Sequence, residues 1–203
     1  DKVSVKEMNC DFYVFSGHKI YAPTGIGVLY GKRSLLESMP PYMGGGDMVD
    51  SVSFSGTTYA PLPLKFEAGT PNFVAAACFK PALEFAAAVR DDVQVQEHEK
   101  RIVATMVEEL QRIKGLKICG LPKDLSLKIP IFSLSIEGVH PSDIAQMLDK
   151  MGIAVRSGLM CAEPIVSRFS ERGLLRVSFA PYNTIFECET FISKLKLVIN
   201  MLL

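Results

Sequence analysis

DFYVFSGHK, residues 11–19, joins an apolar and aromatic run that is typical of a β-strand to a turn of small and polar residues. We expect Phe12–Ser16 to form a buried strand that presents Lys19 at its end, partly removed from water. Loss of water around a lysine frees its amine to attack a carbonyl. Ser16 and His18 can donate hydrogen bonds to an anion such as phosphate. The turn therefore indicates either a lysine that binds a carbonyl cofactor such as pyridoxal phosphate, or an ordinary strand-end lysine that reaches solvent.

Four segments of the chain, in order, resemble the class-V aminotransferase family, and most closely the SufS-type (group II) cysteine desulfurases and the selenocysteine lyases. They are SGHK with YAPTGIGVLY (residues 16–30), FEAGTPN (66–72), VRSGLMCAEP (155–164), and LRVS with YNT (175–184). The resemblance extends in register over essentially all 203 residues. Four ordered motifs are far more specific than any one of them.

The resemblance implies an α/β fold that corresponds to the C-terminal half of a pyridoxal-phosphate-dependent transferase of fold type I. Residues 1–90 would be the C-terminal part of the large cofactor-binding domain, which is built on a parallel sheet, and residues 91–203 would be a smaller α+β domain. The chain starts at Asp1, without Met, in the middle of the family's large domain. We therefore expect a fragment that lacks the preceding half of the family fold.

The resemblance also implies roles for residues in the first half of the chain. Lys19 matches the lysine that binds pyridoxal phosphate covalently and acts as acid and base at the substrate's α-carbon, and Ser16 and His18 match the residues that hold the cofactor phosphate. Gly69 and Thr70 resemble the element that reaches across a homodimer interface to the partner's cofactor phosphate. A plain helix cap is the alternative role for these two residues.

In the second half of the chain, Cys161 resembles the family's sulfur acceptor. A nearby arginine favours the thiolate, which is the nucleophilic form of cysteine, and Arg156 is close in sequence. Arg176 matches the arginine that binds the substrate carboxylate, a task that suits the planar fork of a guanidinium, although the sequence alone allows a strand arginine on a solvated face. Arg156 resembles a second substrate-binding arginine.

Two features complicate the assignment of sulfur chemistry. Leu159 and Met160 stand where many family members have histidines, which bears on proton transfer and on the choice between cysteine and selenocysteine. The other four cysteines are alternatives to Cys161: Cys10 and Cys78 fit small buried apolar residues, Cys119 ends a strand, and Cys188 lies on a helix whose acidic neighbours should raise its pKa.

The function that the resemblance implies is a cysteine desulfurase that converts L-cysteine to L-alanine and leaves a persulfide for iron–sulfur cluster assembly. The implied partners are L-cysteine or L-selenocysteine, a sulfur-acceptor protein of the assembly system, and a second copy of the enzyme. Alternatives are a selenocysteine lyase or another class-V enzyme, and a fragment without activity that keeps only dimer or partner surfaces.

Composition narrows the class of partner. Lys and Arg total 22, as do Asp and Glu, so no basic surplus indicates nucleic acid or an anionic membrane. No apolar run is long enough to predict a membrane span. The five cysteines are odd in number and show neither paired metal-ligand spacing nor a secreted disulfide framework, which favours the reducing cytoplasm and no metal site.

The periodicity of apolar residues predicts the elements that lie between the motifs. We expect a strand at residues 27–30, a short helix at 34–38, a long irregular loop at 42–59 and a helix that covers 75–86. In the second half we expect helices at residues 95–113, 141–151 and 187–203, and strands at 116–119, 129–136, 153–156 and 174–179.

Overall fold

The computed structural model describes residues 2–203, which divide into two compact units, one ending at Asp91 and the other spanning Asp92–Leu203. The first unit contains three helices, two β-hairpins and two short 3-10 turns. In chain order these are α1 (Val5–Met8), β1 (Phe12–Ser16), a 3-10 turn (Gly17–Ile20), β2 (Gly27–Gly31), α2 (Arg33–Ser38), β3 (Val49–Ser53), β4 (Gly56–Tyr59), a second 3-10 turn (Leu64–Phe66) and α3 (Phe73–Asp91).

Strands β1 and β2 form an antiparallel hairpin in which Phe12 lies opposite Gly31 and Ser16 lies opposite Gly27. One face of β1 turns towards α3, where the Phe15 ring stacks on Phe79 with centroids 6.2 Å apart. The other face is open, with Phe12 42% and Val14 70% exposed. The predicted strand exists, but the prediction that it is buried is wrong for the residues described, because no described element covers this second face.

The stretch at residues 42–59, which we expected to be irregular, contains the second hairpin. Val49 pairs with Tyr59 and Ser53 pairs with Gly56 across β3 and β4. Its Ser- and Thr-rich strands are exposed on both faces, so the sequence shows no apolar alternation that would predict them. Every strand pair within residues 2–203 is antiparallel, so no pair present supports the expected parallel sheet.

The second unit is a four-stranded antiparallel sheet with helices packed on one face. Its elements are α4 (Val93–Gln111), β5 (Leu116–Cys119), a 3-10 turn (Leu125–Leu127), β6 (Ile131–Ile136), α5 (Pro141–Lys150), β7 (Arg156–Gly158), α6 (Glu163–Val166), β8 (Leu174–Ser178) and α7 (Ile185–Leu202). The strand order is β5-β6-β8-β7. The strand predicted at residues 153–156 begins instead at Arg156. Ile153 and Val155 pack on the core, and their apolar pattern resembles that of a strand.

Strict alternation along β6 and β8 separates the two faces of this sheet. Phe132, Leu134 and Ile136 are buried, whereas Ser133 and Ser135 lie on the other face. The buried side joins apolar residues of α4, α5 and α7 in one core, which we call the main core and which includes Ile102, Met106, Leu110, Ile144, Leu148, Leu175, Val177, Phe191, Leu195 and Val198. Full burial of such side chains contributes roughly 1.5–3 kcal/mol each.

The start of α7 has a complete capping box. Thr184 Oγ1 accepts the Glu187 amide at 3.2 Å, and the Glu187 carboxylate accepts the Thr184 amide at 2.6 Å. The turn before it is fixed from two sides, since Asn183 Oδ1 accepts the Ala180 amide and the Asn183 carbonyl lies 2.6 Å from His98 Nε2 on α4. This turn follows β8 directly and so stabilises the end of the strand that carries Arg176.

None of the helices formed by residues 2–203 combines the length and apolar character needed to cross a bilayer.

Candidate functional site

The candidate residues fall in both units, and the lysine turn belongs to the first. The chain leaves β1 at Ser16 and makes one 3-10 turn, in which the Gly17 amide donates to the Ile26 carbonyl at 2.9 Å and the Ala22 amide donates to the Gly17 carbonyl at 3.1 Å. A Cβ at Gly17 would lie 2.8 Å from the Phe79 ring. A glycine at this position therefore lets the turn pack directly on α3.

The turn presents three different polar groups within four residues. His18 and Lys19 are exposed, and Ser16 is half-buried with no side-chain capping bond. The expectation that Lys19 is partly removed from water is wrong for the described residues, because the turn lies at the surface of its unit. A hydroxyl, an imidazole and a primary amine are nevertheless the donors that a phosphate group and an aldehyde require, so the residues present fit pyridoxal phosphate.

Gly69 and Thr70 lie just before α3 in the same unit. Gly69 has a φ of 76°, and its amide donates to the Gly46 carbonyl at 2.9 Å. Thr70 is exposed. The side chain that caps the start of α3 is Asn72, whose Oδ1 accepts the Ala75 amide at 3.2 Å. The capping side chain at the start of α3 is therefore Asn72, and the role of Thr70 in phosphate binding stays a prediction.

In the second unit, a row of four residues crosses the face of the sheet opposite the main core. Cys119 on β5 is opposite Ser133 on β6, Ser133 is opposite Arg176 on β8, and Arg176 is opposite Arg156 on β7. Directly opposed residues of antiparallel strands project to the same face. Arg176 is half-buried, and its Nε is fully buried without a hydrogen-bond partner among the described residues. The row therefore places two arginine residues opposite each other on adjacent strands, with their side chains on the same face.

Cys161 lies in the loop between β7 and α6, next to this row. Arg156 Nη2 donates to Cys161 Sγ at 3.2 Å, and Cys161 is exposed. Met160 and Cys161 both have left-handed backbone, with φ of 55° and 56°, and the Ala162 amide closes the turn on the Leu159 carbonyl at 2.9 Å. Left-handed backbone costs a residue other than glycine roughly 1–2 kcal/mol, so the loop must be held in place by its surroundings.

A second, smaller apolar cluster lies beneath this loop. Cys119, Val166 and Leu174 are buried in it, and Met160 and Ala162, the two neighbours of Cys161, pack against them. We call these five residues the satellite cluster. The sequence analysis missed it, because its members come from strands and loops that are distant in the chain. The one signal available was the apolar Met160 at a position where many family members have a histidine.

The two glycines that bound the longer segment between β7 and β8, Gly158 and Gly173, also approach each other closely. A Cβ at Gly173, the residue before β8, would lie 2.6 Å from the Gly158 Cα. Gly173 also has a φ of 82°, so both space and backbone conformation require glycine at this position.

The five cysteines are all free, and their environments differ. Burial, with Glu187 as a smaller cause, raises the pKa of Cys188 to about 11, so the predicted direction is confirmed with burial as the main cause. Burial also raises the pKa of Cys119, against a smaller opposing effect of Lys117. Cys10 is half-buried, and Cys78 is exposed, so the prediction that Cys78 is buried is wrong. Cys161 therefore combines exposure with a contacting guanidinium.

Residues 2–203 contain no group of three or more His, Cys, Asp and Glu side chains placed to hold a metal ion.

Comparison with known proteins gives the family. The sequence profile of the class-V aminotransferases matches residues 1–191. The chain is 43% identical over 202 residues to a probable cysteine desulfurase from Vibrio cholerae, covering 100% of this chain and 49% of that protein.

Two solved structures of cysteine desulfurases match the structure of this chain with the same TM-score. One, from Escherichia coli and in an S-sulfonic acid form, matches with a TM-score of 0.86 and 37% identity over 98% of this chain and 48% of that one. The other, an apo enzyme from Thermococcus onnurineus, matches with a TM-score of 0.86 and 32% identity over 97% and 48%. The expected fold, a partial α/β fold of type I, is confirmed, and the chain spans about half the length of the relatives it matches.

One family accounts for the order of the four motifs, for the fold and for the match of the sequence profile. Membership of this family also indicates pyridoxal phosphate as the cofactor. The chain belongs to the class-V aminotransferase family.

Proposed function

We propose that this chain is the C-terminal half of a SufS-type cysteine desulfurase, which converts L-cysteine to L-alanine and receives the sulfur on Cys161. The observation that carries the proposal is the 3.2 Å contact between Arg156 Nη2 and Cys161 Sγ at an exposed thiol. A guanidinium beside a thiol favours the thiolate, which is the form that attacks sulfur. Plain transamination needs no thiol, so this contact favours sulfur chemistry among the reactions of the family.

Arg176 is the residue that binds the substrate carboxylate in this proposal. Its buried Nε has no partner among the described residues, and a carboxylate would supply two parallel acceptors for the planar fork. Arg156, directly opposite on β7, adds a second positive charge at the same end of the substrate.

Lys19 binds the cofactor covalently and moves the proton at the substrate's α-carbon, while Ser16 and His18 hold the cofactor phosphate. Pyridoxal phosphate, when bound, supplies an electron sink for the bonds at that carbon. The Cys161 thiolate then attacks the substrate sulfur. A sulfur–sulfur bond forms and the bond between sulfur and the β-carbon breaks. The electron pair of the broken bond stays on the β-carbon, which takes up a proton. The products are alanine and a persulfide on Cys161.

The proposal includes the setting of this reaction. The full-length enzyme acts in the cytoplasm as a homodimer, in which Gly69 and Thr70 contribute to the partner's phosphate site, and the persulfide passes to an acceptor protein of iron–sulfur assembly. The 203-residue chain alone is inactive, because it spans only about half the length of its relatives. The exposed aromatic side chain of Phe54, at the tip of the β3–β4 hairpin, is consistent with a surface that another subunit covers.

The decisive experiment compares two exposed cysteines in the full-length protein. We expect the Cys78→Ser variant to release alanine from L-cysteine and to accumulate persulfide on Cys161, as mass spectrometry of peptides would show. We expect the Cys161→Ser variant to bind cofactor and cysteine and to form no persulfide. Wild-type rates of alanine and sulfide release by Cys161→Ser would contradict the proposal.

Selenocysteine is the second candidate substrate, and the apolar Leu159 and Met160 beside Cys161 favour testing it. A selenocysteine lyase that has no need of the thiol would keep its full rate with selenocysteine in the Cys161→Ser variant. A desulfurase would lose its activity on cysteine in the same variant.

A further inference from the structure

The side chain of Cys161 is exposed, whereas the side chains of its two neighbours in the chain pack against the protein interior. Its neighbours Met160 and Ala162 pack into the satellite cluster against Cys119, Val166 and Leu174, while Cys161 itself is exposed. The backbone at Met160 and Cys161 is left-handed at both positions, a conformation that neither side chain favours. The loop therefore depends on packing to keep its shape.

We propose that Met160 is a positioning residue, which holds Cys161 where its thiol reaches Arg156. While the partly buried Met160 packs against the satellite cluster, the left-handed backbone turns the next side chain outward, and Cys161 Sγ lies 3.2 Å from Arg156 Nη2. If that packing is lost, the loop relaxes towards commoner backbone angles, and the thiol moves away from the guanidinium. The inference rests on the proposed function, because the position of this thiol affects catalysis only if Cys161 receives the sulfur.

The chemistry of methionine suits this position. Its unbranched thioether fills an irregular apolar gap without needing a hydrogen-bond partner. An imidazole at this partly buried position would lose part of its hydration against apolar side chains, and those side chains offer it no acceptor in return. The packing of this loop therefore accounts for an apolar residue at position 160.

The test measures the reactivity of Cys161 in the full-length protein without cysteine, using alkylation and peptide mapping. The rate with anionic iodoacetate, relative to the rate with neutral iodoacetamide, reports the positive charge of Arg156 beside the thiol separately from accessibility. We expect Met160→Ala to lower this ratio about fivefold or more, and Met160→Leu, which keeps the apolar volume, to restore it. Leu159→Ala is the matched control, because Leu159 lies in the same loop but outside the satellite cluster.

The route through Arg156 is tested by a double-mutant comparison. In an Arg156→Ala background, Met160→Ala should change the ratio no further, since the guanidinium through which it acts is absent. Independent effects of the two substitutions would overturn the proposal. The proposal would also be overturned if Met160→Ala left the ratio unchanged although alkylation of Cys119 showed that the satellite cluster had opened.

One internal reporter and one substitute variant keep the result interpretable. Cys188 is fully buried in the main core, so its alkylation signals that the unit has unfolded. If Met160→Ala exposes Cys188, then Val166→Ala, which trims the far side of the satellite cluster, replaces it and must lower the ratio in the same way. A failure of the proposed function would give a different result. The wild-type protein would then form neither alanine nor persulfide from cysteine, while the alkylation ratios of the variants would still differ as expected.

Discussion

Arg176 and Arg156 occupy directly opposed positions on the adjacent strands β8 and β7. Like charges at such positions destabilise a sheet, and the buried Nε of Arg176 adds a donor with no partner among the described residues. Both costs would be offset by one anion that bridges the two guanidinium groups. The two arginines are therefore better suited to binding a carboxylate than to stabilising the sheet.

Replacement of Arg176 by lysine should weaken substrate binding although the charge is kept. An ammonium group cannot reproduce the two parallel hydrogen bonds of a guanidinium. Loss of a charge-assisted bond of this kind costs roughly 1.5–3 kcal/mol, which corresponds to roughly a 10- to 150-fold higher Kd for cysteine. Titration of the full-length protein measures it, with Arg172→Lys, an exposed arginine before β8, as control. Equal affinities in the two variants would assign Arg176 a structural role.

Lys19 should be the only lysine that becomes linked to the cofactor. Borohydride reduction of the full-length protein with pyridoxal phosphate, followed by peptide mapping, should place the label on Lys19. Lys19→Ala should abolish the label and cysteine turnover, whereas Lys80→Ala, at an exposed lysine of α3, should change neither. Label on another lysine in the wild-type protein would contradict the assignment.

The capping box of α7 should make stability depend on pH in the acid range. Hydrogen bonds from the Thr184 amide, and then from Asn183 and the Thr184 hydroxyl, lower the pKa of Glu187 from its ordinary value of 4.5. A carboxylate whose pKa falls on folding stabilises the protein fully above the unfolded-state pKa, and that stabilisation is lost as the pH falls through the folded-state pKa. We therefore expect the contribution of Glu187 to begin to decline near pH 4.5 and to be lost as the pH falls through the lower folded-state pKa.

Urea unfolding of the chain at several pH values between about 3 and 7 checks this expectation. Glu187→Gln should be destabilising near neutral pH and should approach the wild type in acid. Glu189→Gln on the same helix is the control. The pKa of Glu109, lowered by Lys196, and that of Asp124, lowered by Ser126, affect all variants alike, so only differences between variants count. A constant difference between Glu187→Gln and wild type at all pH values would contradict the prediction.

The 203-residue chain should self-associate in solution. Phe12 and Val14 are exposed on the uncovered face of the β1–β2 hairpin, and exposed apolar strands recruit other chains. Light scattering should show species larger than a monomer, and Val14→Glu should reduce them. Val93→Glu, at an equally exposed valine in the second unit, should have little effect. A clean monomer with slow hydrogen exchange across Phe12–Ser16 would refute the prediction.

Much of the second unit could be predicted from the sequence, because its elements bury one face each. Leu134 and Ile136 alternate with serines, and Leu195, Val198 and Ile199 recur at helical spacing, so periodicity indicates both the type of element and its inner face. The first unit was harder to predict. The β3–β4 hairpin buries neither face, so its pairing leaves no apolar signature, and β1 has a strand composition without the burial that such a composition usually indicates.

The residues of the candidate site also differ in how well the sequence predicts them. Lys19, Cys161 and Arg176 could be named from motifs, because each motif is a contiguous stretch of chain. The opposition of Arg176 and Arg156 and the packing of Met160 on Cys119 depend on strand register and on contacts between distant segments. Neither leaves a periodic trace in the sequence, so only the folded arrangement shows them.

Strand β8 places Leu175 and Val177 in the main core and Arg176, between them, on the opposite face. Because side chains alternate strictly along a strand, a shift of one residue would bury the guanidinium and turn both apolar neighbours outward. A deletion or insertion of a single residue in β8 would therefore damage both the stability of the unit and the carboxylate binding proposed for Arg176. Tolerance of length changes in this region is confined to the loops, since the core that folds the unit also sets the direction of its arginine.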